Sequence, residues 1–365
     1  MRQRFLVLDS FRGLFAIFVV IYHMNVLDSI TSLNFFRGSW VFVEFFFVLS
    51  GFVLAHGYIN KQKLFFNKYL ISRVFRIFPL HIFMLLIFVI FEFIKLIAYK
   101  NGINFGTPPF TGPGAVNEII PNLFLVQAWT SLTEPYSFNF PSWSISIEFY
   151  MYLVFFLTLI RPKLRVTSWV FISGLMLTLL YLETNLLVDE VKRGLGSFFA
   201  GSLTYALFTK LSKERLGFYF ASFLEVTSII IIVYFVSSPG KYTSTITVLI
   251  FCLTILLYSF ESGLISSWLK NIFFIRLGEL SYSIYMVHAA ILAATIYIMM
   301  IVQKLSGITI APMSETRRAM DLGSGLVNNI WVFFLVSLVI ICANLTHKYI
   351  ERSAQLIGKR LIEKL

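Results

Sequence analysis

Ten runs of apolar side chains, each long enough or nearly long enough to cross a hydrocarbon layer of about 30 Å, follow one another along this sequence. Inside lipid every backbone N–H and C=O must be satisfied within its own segment or in a closed barrel. Runs of this length without polar alternation point to helices. We place them at about Phe5–Val26, Ser39–Tyr58, Ile77–Ala98, Ser142–Ile160, Thr167–Glu183, Gly194–Thr209, Gly217–Val236, Thr243–Phe260, Phe273–Ile301 and Leu326–His347, the sixth being short and open to a re-entrant path. The expected fold class is an all-α integral membrane protein of about ten transmembrane helices. Only 13% of the residues are charged, against roughly 25% in a soluble domain, so soluble, disordered and fibrous classes are excluded. The formal charge of +12 then describes basic loops, and no nucleic-acid partner is expected. Cys252 and Cys342 lie inside apolar runs and imply no disulfide framework. The first run has no small-residue cleavage site after it and is not read as a removable signal peptide.

Lysine and arginine set the direction of the runs. Arg2 and Arg4, the loop cations Lys61, Lys63, Lys68, Arg73, Arg76, Arg161, Lys163, Arg165, Lys210, Lys213, Arg215, Lys270 and Arg276, and the tail residues Lys348, Arg352, Lys359, Arg360 and Lys364 fall on one side: 20 of the 30 basic residues. The bias predicts both termini in the cytoplasm, hence a multi-pass protein of the cytoplasmic (inner) membrane. The segment from about Tyr99 to Pro141 then becomes a long extracytoplasmic loop with six prolines and four glycines. It is either a loose connector or a lid or acceptor platform. No internal repeat or second soluble domain is visible, so residues 1–365 are expected to form a single transmembrane domain with the loop 99–141 inside it.

Ionisable residues within such runs are costly, at least about 2.5–3.5 kcal/mol each at the bilayer centre, and are functional candidates for that reason. Here they are Asp9, Arg12, His23, Glu44, Glu148 and His288, with His56 and His81 read as anchors near the cytoplasmic interface. Asp9 and Arg12 share a helix face and are expected to pair. His23 lies about 16 Å beyond Arg12 at 1.5 Å per residue, in the outer half of the first helix. Glu44 and Glu148 come early in helices that descend from outside, at a similar depth. A buried carboxylate needs a partner or takes up a proton, and an imidazole between carboxylates is one such partner. A carboxylate on one ring nitrogen would leave the other free to accept a proton. The alternative is a purely structural polar cluster joining three helices.

In "YLISRVFRIFPLH", Arg73 and Arg76 are three apart at the mouth of the third run, with Pro79 expected in its first helical turn. Arginine forks suit phosphate oxygens, although positive-inside anchoring explains them equally. "LGELSYSIYMVHAAIL" places Ser281, Tyr282, Tyr285 and His288 on the ninth run, lining a polar path or cross-linking helices. His347 and Glu351, four apart, are expected to pair locally. No phosphate loop, metal-ligand spacing or nucleophile elbow is present, so no metal is expected.

Several stretches taken together resemble the acyltransferase-3 family of membrane-bound O-acyltransferases, which acylate cell-surface glycans. They are "FLVLDSFRGLFAIFVVIYH" with Arg12 and His23, "WVFVEFFFVLSGFVL" with Glu44, "RVFRIFPLH", "PSWSISIEFYMYLVFF" with Ser144 and Glu148, "LGELSYSIYMVH" and "HKYIERS". Glu44 stands where an aspartate is common, and Ser353 where the family often has proline. The resemblance implies acyl-CoA, usually acetyl-CoA, as a co-substrate from the cytoplasm, with no permanently bound cofactor. It implies a glycan or lipid-linked saccharide hydroxyl as acceptor. His23 would be the catalytic base, with Glu44 and Glu148 beside it. Arg12, Arg73 and Arg76 would bind the donor, and Ser144, Tyr282, Tyr285 and His288 would line the substrate path. The chain ends soon after the tenth run, so a stand-alone member is expected. The rival expectation is a transporter or flippase of a glycan or anionic substrate, which would also carry intramembrane charges but often shows repeated halves.

Overall fold

The computed structural model describes residues 4–61, 63–212, 216–314 and 317–365; Arg2, Lys213 and Arg215 lie outside the described residues. Each of the ten runs coincides with a helix: α1 Leu6–His23, α2 Phe42–Tyr58, α3 Phe66–Lys100, α4 Ser142–Leu159, α5 Arg165–Tyr181, α6 Asp189–Leu211, α7 Phe218–Ser237, α8 Thr243–Tyr258, α9 Ile272–Ser306 and α10 Gly325–Thr346. A π turn at His347–Glu351 leads into α11, Arg352–Lys364. Among the described residues, seven segments are long and apolar enough to cross a membrane: Leu6–His23, Ser39–Tyr58, Phe66–Lys100, Ser142–Leu159, Phe218–Ser237, Ile272–Ser306 and Gly325–Lys364. The helices α5 and α8 are apolar but shorter. Helix α6 carries Asp189, Glu190, Lys192 and Arg193 in its first turns. Large exposed apolar side chains such as Phe171, Phe223 and Phe333, each more than 60% exposed, suit a lipid environment and no aqueous one. The protein is a multi-pass, all-α membrane protein.

Helix α3 corrects the sequence reading. It starts at Phe66, not near Ile77, because its first turns mix apolar Tyr69, Leu70 and Ile71 with Lys68, Arg73 and Arg76 and form no uninterrupted apolar run. Pro79 is therefore interior to the helix and cannot donate to the carbonyl of Phe75. His81 is not an interfacial anchor either. It is 1% exposed, and its Nε2 lies 2.7 Å from the carbonyl oxygen of Asn122.

The chain forms two compact units. The first comprises residues 1–16, 38–70 and 147–281. Its core is aromatic. Phe15 stacks on Phe42 at 4.1 Å and meets Phe45 edge-on at 4.7 Å, and Phe11 meets Tyr258 at 4.6 Å. Aromatic pairs of this geometry add about 0.5–1.5 kcal/mol beyond the area they bury. Helices α2 and α6 meet backbone to backbone. A Cβ on Gly51 would strike the Phe198 carbonyl, and one on Gly201 the Val48 carbonyl. Small residues allow that approach where lipid supplies no hydrophobic drive between helices. Glu225, 1% exposed, accepts from the backbone N–H groups of Gly263 and Ser266, both at 3.0 Å, and so caps the short helix Leu264–Leu269.

The second unit comprises residues 17–37, 71–146 and 282–365. In it parts of the loop after α3 are held by hydrogen bonds. The buried pair Lys95–Glu92 (2.8 Å) accepts the Phe110 N–H at 2.7 Å and donates to Thr107 at 3.1 Å. Ser146 donates to the Leu125 carbonyl at 2.6 Å, and the Trp129 indole donates to the Ser146 carbonyl at 3.0 Å. A two-stranded ribbon, β1 Met313–Ser314 and β2 Arg317–Arg318, precedes α10. The chain leaving α1 is pinned to the segment that follows this ribbon: Met320 N–H donates to Asn25 and Leu27 N–H to Met320 at 2.8 and 3.0 Å, and the Asn328 amide donates to the Leu27 carbonyl at 2.8 Å. Asp321 supports that segment. The Gly323 N–H, and after it the Asn328 amide, hold its carboxyl below the ordinary carboxylate range.

Candidate functional site: a paired imidazole

His23 is the last residue of α1, and its position is fixed by the anchored exit just described. Its ring stacks on His288 of α9, centroids 5.3 Å apart and planes 21° apart. Phe140, from the end of that loop, meets the His23 ring at 4.5 Å and the His288 ring at 5.8 Å. Tyr285 lies one helical turn before His288, its ring centroid 5.8 Å away, as the three-residue spacing requires. The Tyr285 hydroxyl is 2.9 Å from Ser144 Oγ at the start of α4. Four of the residues singled out in the sequence, His23, Ser144, Tyr285 and His288, are thus assembled within one unit.

The two imidazoles differ in access. His288 is fully buried, with Nε2 unpartnered among the described residues. His23 is partly exposed, and no hydrogen bond to its ring nitrogens occurs among the described residues. A buried polar group normally has a partner. The stack therefore holds a buried imidazole nitrogen without a hydrogen-bond partner among the described residues.

Tyr282 faces otherwise. Its hydroxyl donates to the Ile77 carbonyl at 2.8 Å and ties α9 to α3. Arg73 and Arg76 are half-buried in α3. Arg76 acts electrostatically on Glu351, which is 4% exposed and bonded to Ser283 Oγ at 2.9 Å and His347 Nδ1 at 3.0 Å. The expected His347–Glu351 pair is present.

The remaining candidates belong to the first unit, each with partners there. Arg12 pairs with Asp9 at 3.2 Å, as expected, and donates to Ser281 Oγ at 2.8 Å and the Gly278 carbonyl at 2.9 Å. Glu148 accepts from Ser50 at 2.8 Å and from the Tyr152 hydroxyl. Glu44 is 0% exposed and bonds Arg193 Nε at 2.8 Å; the guanidinium lies 5.3 Å from the Trp40 ring centroid. Arg193 was missed in the sequence because it sits one residue before the apolar run that begins at Gly194, although a buried Glu44 demands a cation somewhere. Glu92, Lys95 and Glu225 were passed over as well; all three lie within predicted runs, and the contacts described above give each a structural role. Arg193→Gln is expected to destabilise the protein by about 3–5 kcal/mol, because it leaves the Glu44 charge buried and unpaired. Thermal unfolding in detergent measures this; an unchanged midpoint would mean that the Arg193–Glu44 pair adds no net stability.

Together these features define a multi-pass membrane protein with a paired imidazole among its helices. The chain belongs to the acyltransferase-3 family: the family model described as an acyltransferase domain matches residues 5–347. The matched family is one of acyltransferase domains. One relative, the acyltransferase MdmB of Streptomyces mycarofaciens, is 36% identical over 116 residues, 31% of this chain and 26% of that protein, so the matched part spans about a quarter of its length. Another, the putative acetyltransferase ORF330 of Acidianus two-tailed virus, is 26% identical over 292 residues, 76% of this chain and 80% of that protein. No solved structure matches.

Proposed function

We propose that this protein transfers an acyl group, acetyl in the first instance, from cytoplasmic acyl-CoA to a hydroxyl of an extracytoplasmic or lipid-linked glycan. The stacked, incompletely hydrogen-bonded pair His23–His288 is the observation that carries the proposal, because general-base chemistry needs an imidazole nitrogen not committed elsewhere. In this scheme a ring nitrogen of His23 takes the hydroxyl proton as the oxygen attacks the thioester carbonyl. The new C–O bond forms, the C–S bond breaks, and the proton passes from the imidazolium to the departing thiolate. Tyr285 and Ser144, hydrogen-bonded to each other, supply the hydroxyl donor for the oxyanion. Arg73 and Arg76 bind the donor's phosphates, with Arg12 also on the cytoplasmic side. Ten crossings with both termini in the cytoplasm, and residence in the cytoplasmic membrane, complete the proposal.

The test uses inverted vesicles supplied with acetyl-CoA labelled in the acetyl group. Label recovered in saccharide supports the proposal. Movement of saccharide without any acyl donor would replace it with the transporter reading.

A further inference from the structure

Helix α11 is left unexplained by this scheme. Its packed face carries Ala354 and Gly358, both buried. Gly358 is seated on Phe75: a Cβ at Gly358 would lie 2.7 Å from the Phe75 Cβ. Phe75 stands between Arg73 and Arg76 in α3. Gly358 therefore docks α11 against the turn of α3 that carries both arginines, and Glu351, which immediately precedes α11, lies within electrostatic reach of Arg76.

That docking sets beside α3 a helix with cations of its own. Arg352 and Lys359 are seven residues apart and share a face of α11, both exposed, with Arg360 and Lys364 nearby. Against these four cations, Glu363 is the sole acid within α11, and its oxygen is 4.0 Å from Lys359 Nζ at two highly exposed side chains, a pair of little strength. A cluster of this sign is suited to an anion of high charge. Acyl-CoA offers a diphosphate and, beyond a ribose, a separate 3′-phosphate monoester. Two arginines three residues apart suit the first, and neither reaches both.

We propose that α11 forms the second half of the donor site, with Arg352 and Lys359 holding the 3′-phosphate of acyl-CoA while Arg73 and Arg76 hold its diphosphate. This rests on the acyl-CoA reading above. An anionic lipid headgroup presents the same phosphate chemistry, and the test separates the two.

The full-length protein is assayed in neutral detergent with acetyl-CoA and with 3′-dephospho-acetyl-CoA. In the wild type, removing the 3′-phosphate should raise KM about tenfold, the scale of one charge-assisted contact. In Arg352→Gln/Lys359→Gln, the KM for acetyl-CoA should rise until the gap between the two donors is under twofold. An unchanged tenfold gap in the double variant, or equal KM values in the wild type, would overturn the role of α11. So would a gap that appears only in vesicles containing phosphatidylglycerol, which would give these cations to lipid. Failure of the wild type to use either donor would instead remove the acyl-CoA reading itself.

Discussion

His23→Ala is expected to lower acyl transfer by about 10²–10⁴-fold, the scale of general-base assistance, without loss of membrane insertion. Insertion should survive because the ring stacks on His288 and meets Phe140 edge-on and anchors no helix end through a hydrogen bond among the described residues. The measurement is the initial rate in washed membranes, normalised to protein recovered there. His23→Gln is the second variant: it keeps a polar side chain of similar reach but has no basic nitrogen, so it should be as inactive as alanine. Full activity in either would end the general-base proposal and leave the imidazole pair a structural feature.

The second large effect is expected on the donor side. Replacing Arg73 and Arg76 together by alanine should raise the KM for acyl-CoA by roughly ten- to a hundredfold, since a hydrogen bond to a charged group contributes about 1.5–3 kcal/mol. The change in kcat should be small, because phosphates far from the thioester are held equally in the ground and transition states. Arg76 also acts electrostatically on Glu351, so a paired lysine variant is needed: it keeps the charge while losing the fork. An unchanged KM in the alanine variant would assign both arginines to membrane topology.

Much of the fold was legible because lipid leaves the backbone so few choices. Each apolar run became a helix, and the short-range pairs Asp9–Arg12 and His347–Glu351 followed from helical spacing alone. What was not legible depended on partners distant in sequence. The start of α3 was misplaced because amphipathic turns carry no continuous apolar signal, and with it went the positions of Pro79 and His81. The carboxylates Glu44 and Glu148 were matched by depth to His23, yet their bonded neighbours are Arg193 in one case and Ser50 and Tyr152 in the other. Conversely, His288 stood only as a path residue, since nothing in a linear sequence says that two rings 265 positions apart will stack. Spacing reports what one helix face shares; it is silent on which faces meet.

The glycine contact between α2 and α6 limits how the first unit can move. Where Gly51 and Gly201 let two main chains touch, no layer of side chains is left to swap rotamers and let one helix glide past the other. A step along that seam would drive a carbonyl into bulky neighbours before any new fit was reached. Shape change during turnover must then be sought in parts with softer joints, and even a single added methyl at either glycine should act as a wedge.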